Sequence, residues 1–202
     1  MTEATAISVP DTAGESQTDE TTTEPRLPIR LLLPQGATAI VVAVVGVALA
    51  AASFAAFGLS GRALVGAALC PVLILLAAID ARHRLLPNEI VLSTALLVAL
   101  IVAATNAAGF FEHLEAGLAL FGFLFLFAAV FKGGLGMGDA KLGLLLGLAL
   151  GSRTFSAMMV AFVGLFLVAL WIIATQGLAA RKKAIPFGPF IALGGVLAFF
   201  FG

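Results

Sequence analysis

Residues 118–131 read LALFGFLFLFAAVF. The run carries no charge and no polar side chain, and nothing in it alternates. Strands of a half-buried sheet or a membrane barrel alternate apolar with polar positions, so a helix is the reading that remains. A helix with Phe and Leu on every face has no side to turn to water; it belongs in a large core or in a bilayer. Composition decides between the two. Of 202 residues, 61% are hydrophobic and 11% charged, and the mean hydropathy is +1.15. Soluble domains run nearer half apolar and a quarter charged. The charges are also unevenly spread: 8 of 22 precede residue 31, leaving 14 for the remaining 172 positions. This is the composition of a polytopic membrane protein.

A bilayer core about 30 Å thick needs roughly 20 apolar residues per helical crossing. Working outward from 118–131, seven apolar spans are predicted, at about 38–59, 63–80, 89–108, 114–131, 139–152, 154–177 and 189–201. The fifth and seventh are short for a full crossing. The expected fold is therefore an all-α polytopic membrane helix bundle of about six to seven transmembrane helices, the lower count leaving one re-entrant piece. Residues 31–202 make up this domain. Residues 1–30 are rich in Thr, Ser, Glu and Pro, lack a hydrophobic period and carry six acids against two bases. They are expected to form a disordered acidic tail. An acidic start of this kind does not resemble a cleavable signal peptide, which opens on a basic segment.

The basic residues give the orientation. With the tail cytoplasmic, Arg26, Arg30, Arg82, Arg84, Lys132, Lys141, Arg181, Lys182 and Lys183 fall at inner ends of spans, and only Arg62 and Arg153 fall outside. That bias is the positive-inside pattern, and it predicts a multi-pass protein of the cytoplasmic (inner) membrane. The bases are scattered rather than gathered in one stripe, which excludes a nucleic-acid surface. A single cysteine, Cys70, excludes an internal disulfide and a cysteine-based zinc site. His83 in an inner loop and His113 in an outer loop are expected on opposite sides of the membrane, so no metal site is predicted.

Five acids follow the tail: Asp80, Glu89, Glu112, Glu115 and Asp139. Glu112 and Glu115 are assigned to an outer loop. Glu89 follows Pro87-Asn88 and is expected to complement the start of the third helix, with Asn88 as its cap. Asp80 closes one apolar span and Asp139 opens another on the same side, so the two can share one depth. The Gly-rich stretch before Asp139 is a poor helix former, and non-helical backbone at membrane depth is tolerated only where it is buried in protein or lines a wet cavity. A flexible, water-accessible segment presenting a carboxylate is predicted there. The plainer alternatives are that Asp139 only caps the fifth helix and that Asp80 is an interfacial charge beside Arg82 and Arg84. Against them stands the cost of ionisable groups within spans, which makes such groups functional by default. Two carboxyls within hydrogen-bonding distance cannot both ionise cheaply and share a proton. One can then take a proton from water while its protonated partner polarises a peptide carbonyl. Gly143, Gly147 and Gly151 recur every four residues and predict a flat helix face that a neighbour approaches closely.

Three stretches carry a family resemblance. AIDARHRLLPN (78–88) resembles the first aspartate motif of type IV prepilin peptidases, and GMGDAKL (136–142) resembles their second, the Gly-x-Gly-Asp motif shared with other intramembrane aspartyl proteases. IPFGPF (185–190) resembles their Pro-Phe-Gly-Pro segment. All three occur in family order. The resemblance implies that Asp80 and Asp139 are the catalytic aspartates at the cytoplasmic membrane face and that Gly136 and Gly138 belong to the active-site loop, with Lys141 an electrostatic neighbour. It assigns Pro87, Asn88, Pro186, Phe187, Gly188 and Pro189 to shaping the site. It further implies a prepilin-like substrate with a hydrophobic N-terminal helix, cut without cofactor or metal, and pilus or secretion assembly components as further partners.

Larger members of that family carry paired Cys-x-x-Cys motifs in a cytoplasmic domain after the first span and also N-methylate the product. Here only Leu59-Ser60-Gly61-Arg62 separate the first two spans. The chain resembles the short, peptidase-only form associated with tight-adherence pili, and methyltransferase activity is not expected. A second reading is a small proton-coupled transporter, since paired membrane aspartates also relay protons. Such carriers often show repeats with broken helices. Helix starts broken by Gly at 133–138 and by Pro and Gly at 186–189 fit that, but no second aspartate-bearing copy accompanies them. A third reading is a non-catalytic scaffold in which the aspartates are caps.

Overall fold

The computed structural model describes residues 29–130, 136–177 and 185–202, and every regular element among them is helical. A single turn, α1 (Ile29–Leu32), precedes seven longer helices. These are α2 (Ala37–Phe57), α3 (Gly61–His83), α4 (Asn88–Thr105), α5 (Phe110–Val130), α6 (Met137–Leu150), α7 (Thr154–Gln176) and α8 (Gly188–Phe201). A 3-10 turn, Gly151–Arg153, joins α6 to α7. Each apolar span of the sequence becomes one helix, with ends displaced by at most four residues. Residues 1–28, Lys132, Gly133, Gly134 and Arg181 to Lys183 lie outside the described residues, as does the side chain of Arg30.

Five helical stretches are long and apolar enough to cross a membrane: α2, α3, α4, α5 and the continuous run Met137–Gln176. Helices α6 and α8 are 14 residues each, about 21 Å at helical rise, and so fall short of a bilayer core of about 30 Å. The surface is apolar, as lipid requires: Ile40, Val44 and Val47 of α2, Phe123 and Leu126 of α5, and Phe166, Leu170 and Trp171 of α7 are all exposed. The core lies around α3 and α6, whose Leu69, Leu73, Leu76, Leu142, Leu145 and Leu146 are fully enclosed. Helix α6 packs mainly on α5 and α4, α3 on α2 and α8, and α7 on α8.

The small-residue stripe does what its spacing predicts. A methyl group on Gly147 would run into the Gly117 main chain of α5, and one on Gly143 would press on Leu120 and Leu124. Gly151 ends α6 at φ 57°, a left-handed conformation that glycine adopts without a Cβ penalty. Two expectations are corrected. Glu112, His113 and Glu115 are not in a loop but in the first turns of α5, which starts at Phe110. The turn before it is set by Asn106, whose Oδ1 accepts the Gly109 N–H at 3.2 Å, and an acid in the first turn suits the helix N-terminus. His83 is likewise the last residue of α3 rather than part of a loop.

Candidate active site

Asp80 lies in the last turn of α3 and is buried, 6% exposed. Its Oδ2 accepts the Gly188 N–H at 2.8 Å. That donor is free because Gly188 opens α8, and the first turn of a helix has N–H groups without internal partners. Pro189, in the same turn, has no N–H to satisfy and its ring suits a helix start. The approach needs glycine: a Cβ at Gly188 would stand 2.7 Å from Asp80 Oδ2 and 2.9 Å from its Cβ. Of the reading of Asp80 as an interfacial charge beside Arg82 and Arg84, the exposed setting and the Arg82 partner are corrected, while Arg84 does stand within electrostatic range of Asp80 and shares its cavity. Arg82 donates instead to the Thr38 hydroxyl at the start of α2. Arg84 ends α3 in the left-handed region (φ 53°), its N–H returned to the Asp80 carbonyl at 2.9 Å.

Asp139 is the third residue of α6 and is also buried, 9% exposed. Its Oδ2 accepts the Gly136 N–H at 2.9 Å, and its own N–H donates to the Gly136 carbonyl at 3.0 Å. So Asp139 does cap its helix, from the first turn rather than from the cap position. The glycine segment is only partly loop: Gly136 precedes the helix, whereas Gly138 is helical. A Cβ on Gly138 would sit 2.9 Å from Leu86 Cβ, so its place in the structure is a close contact with the chain after α3. Gly136 has φ −88° and its nearest neighbour would be 3.5 Å away, an ordinary contact. Asn88 does not cap α4, because the cap position is Pro87 and no side chain serves there. The Asn88 Oδ1 instead accepts from Lys141 Nζ at 2.8 Å, tying α4 to α6. Glu89 does sit in the first turn of α4, as expected.

Asp80, Asp139, Arg84, Asn88, Lys141 and both glycines, Gly136 and Gly138, line one cavity of about 290 Å³ at this end of the bundle. Helix α6 begins at this cavity, and α8 begins beside it against Asp80. Each carboxylate lies against the N-terminus of one of them, where unpaired N–H groups and the helix dipole favour negative charge. In each carboxylate Oδ2 is held by a backbone N–H, and among the described residues Oδ1 has no hydrogen-bond donor. Pro87, Pro186, Phe187 and Pro189 do not line the cavity. Pro87 and Phe187 are buried beside it, and the Phe187 ring packs on Phe162 with centroids 5.5 Å apart. Sequence reasoning did not assign Arg84, Leu85, Leu86 or Met137 to the wall. A left-handed arginine leaves no mark in a sequence, so the turn that brings Arg84 round was not legible. No group of three potential metal ligands occurs among the described residues.

Comparison with known proteins supplies the family. Residues 67–175 match the model of the Type IV leader peptidase family, more than half of the chain. The chain belongs to the type IV leader peptidase family. Its relatives include the prepilin leader peptidase/N-methyltransferase of two Burkholderia pseudomallei strains, each 36% identical over 182 residues, covering 84% of this chain and 56% of the relative. The Bacillus subtilis protein of the same name is 30% identical over 148 residues, covering 72% of this chain and 59% of the relative. This leader peptidase family member thus spans little more than half the length of those curated relatives. No solved structure matches it. The family match takes in Asp80 and Asp139 and ends before the Pro-Phe-Gly-Pro segment. A peptidase family gives no support to the proton-coupled carrier.

Proposed function

We propose that this protein is a membrane-embedded aspartic endopeptidase that removes the leader of type IV prepilin-like precursors, with Asp80 and Asp139 as its catalytic dyad. The observation that carries the reading is the meeting of these two carboxylates, from distant motifs, on one cavity at helix ends, in a chain of the leader peptidase family. In the proposed reaction the dyad shares one proton. The ionised carboxyl takes a proton from water as the oxygen attacks the scissile carbonyl, which the protonated carboxyl polarises. Collapse of the tetrahedral intermediate breaks the C–N bond, and a proton from the dyad leaves with the amine. Water is consumed, one acid and one amine are formed, and the dyad returns to its starting state.

The backbone donors give this reading its support. Gly188 and Gly136 each hold one oxygen of a carboxylate, which fixes its orientation and leaves the other oxygen for water or substrate. We assign Lys141 to orienting the start of α6 through Asn88, and Gly188 with its neighbours Pro186, Phe187 and Pro189 to seating α8 against Asp80. The substrate would lie in the bilayer as a hydrophobic helix and unwind at the cavity. A cytoplasmic position for this end and for residues 1–30, tight-adherence precursors as substrates and pilus assembly components as partners belong to the same proposal. So does the lack of methylation, given one buried cysteine, Cys70.

The test is co-expression with a candidate pilin precursor, read by gel shift and N-terminal sequencing. Wild type is expected to cut, and Asp80→Asn and Asp139→Asn each to abolish cutting at normal membrane abundance. Cutting that survives in either variant would sink the two-carboxylate mechanism. An unmethylated new N-terminus, read by mass, is the expected product.

A further inference from the structure

The positive-inside pattern leaves two exceptions, Arg62 and Arg153. Far apart in sequence, they line one cavity of about 270 Å³ at the end of the bundle opposite the aspartates. His113 and Asn106 share the wall, and no Asp or Glu side chain does. Arg62 is held at one edge: its Nη2 donates to the main-chain oxygens of Phe199 at 2.5 Å and Gly202 at 3.4 Å, and its guanidinium lies 4.0 Å over the Phe57 ring. Its Nε and Nη1 have no acceptor among the described residues. The Arg153 side chain makes no hydrogen bond among the described residues, yet stands near enough for its charge to act on Arg62. Glu112 is within electrostatic range of Arg153, but its Oε1 accepts the Ser152 N–H at 3.2 Å and it is not part of the wall.

We propose that this cavity binds a phosphate-class oxyanion, clamped between the Arg62 and Arg153 guanidiniums. Two guanidiniums facing one hollow repel each other, which an anion between them would offset, and a planar fork of N–H donors matches phosphate oxygens. Asn106 adds a donor, because its Oδ1 is taken by the Gly109 N–H while its NH₂ has no acceptor among the described residues. His113 donates Nδ1–H to the Leu148 carbonyl at 2.9 Å, which fixes its ring at the wall. Capping of α8 by Arg62 accounts for that residue alone; Arg153 lies along the end of α8, its Cδ 3.1 Å from where a Cβ on Gly202 would stand, with no hydrogen bond from its guanidinium among the described residues. Helix ends lie at the level of phospholipid headgroups, so the anion is either a lipid phosphate or a free one. Either would bridge α3 and α8 to the turn between α6 and α7.

The full chain in detergent decides this by its melting temperature, measured with no addition, with phosphatidylglycerol, with diacylglycerol and with inorganic phosphate. Phosphatidylglycerol is expected to raise it by several degrees and diacylglycerol, which has the tails without the phosphate, to leave it unchanged. An equal rise with inorganic phosphate identifies a free anion; a rise with the phospholipid alone identifies a lipid. Arg153→Gln is expected to remove the rise, while Arg82→Gln, at the other end, keeps it. Arg153 is uncommitted, so its variant is expected to fold even where Arg62→Gln loosens α8. No rise with either phosphate source, or a rise that persists in Arg153→Gln, overturns the site. Melting is read without substrate, so the outcome is independent of the peptidase reading.

Discussion

Two glycines flank the aspartates, and at the scale of single residues they have different duties. Gly188 has no room for a side chain, since a Cβ would press directly on the Asp80 carboxylate. Its N–H is also the donor that holds that carboxylate. A hydrogen bond to a charged acceptor is worth roughly 1.5–3 kcal/mol, which as transition-state energy is about 10- to 100-fold in rate. Gly188→Ala is therefore expected to lower cleavage by about that factor or more while the protein still inserts, measured as cleaved fraction against membrane abundance. Gly136→Ala has ordinary space and an ordinary φ, and is expected to keep activity within a few-fold. Equal losses in both would mean that the approach of α8 to Asp80 is not what the site depends on. Lys141→Met breaks an exposed tie to Asn88; the expected effect on the same assay is a drop of a few-fold, well short of an aspartate variant.

Among elements, α6 and α5 approach each other closely enough to bring main chain against main chain. Gly147 faces the Gly117 main chain, where a methyl group has nothing flexible to displace, whereas Gly143 faces the ends of Leu120 and Leu124. Overpacking a tight core costs typically 1–3 kcal/mol. Gly147→Ala is expected to lower the melting temperature in detergent by several degrees, and Gly143→Ala by distinctly less, because leucine tips can yield. The reverse order would show that the two helices are free to separate. The stripe itself was legible from its four-residue period. Its partner, Gly117, was not, because nothing in a single sequence says which helix a flat face will meet.

For the whole molecule, the consequence of the fold is polarity: the carboxylates gather at one end and Arg62 with Arg153 at the other. Cysteines introduced at position 84 and at position 153 in a Cys70→Ser background are expected to react with an impermeant thiol reagent from opposite sides of the membrane. Labelling of both from one side would overturn the arrangement. Cleavage is expected to survive a metal chelator and thiol alkylation alike, since the proposed dyad needs no metal and Cys70 is buried. Inhibition by a chelator would call for a metal-assisted mechanism instead.

The helical class, the seven apolar stretches that become helices and the shared side of Asp80 and Asp139 follow from hydropathy and charge alone, because lipid leaves a backbone few alternatives and a period is a local property. Helix starts were less legible: Phe110 opens α5 inside a polar stretch and Met137 opens α6 inside a glycine run, since a helix extends past its apolar part wherever its end groups find partners. Long-range contacts decided the rest. That Gly188 reaches Asp80, that Lys141 takes the oxygen of Asn88, and that Arg62 and Arg153 face one hollow all depend on which helices are neighbours. Neighbours are chosen by complementary shape over the whole bundle, a property that no stretch of this sequence holds by itself.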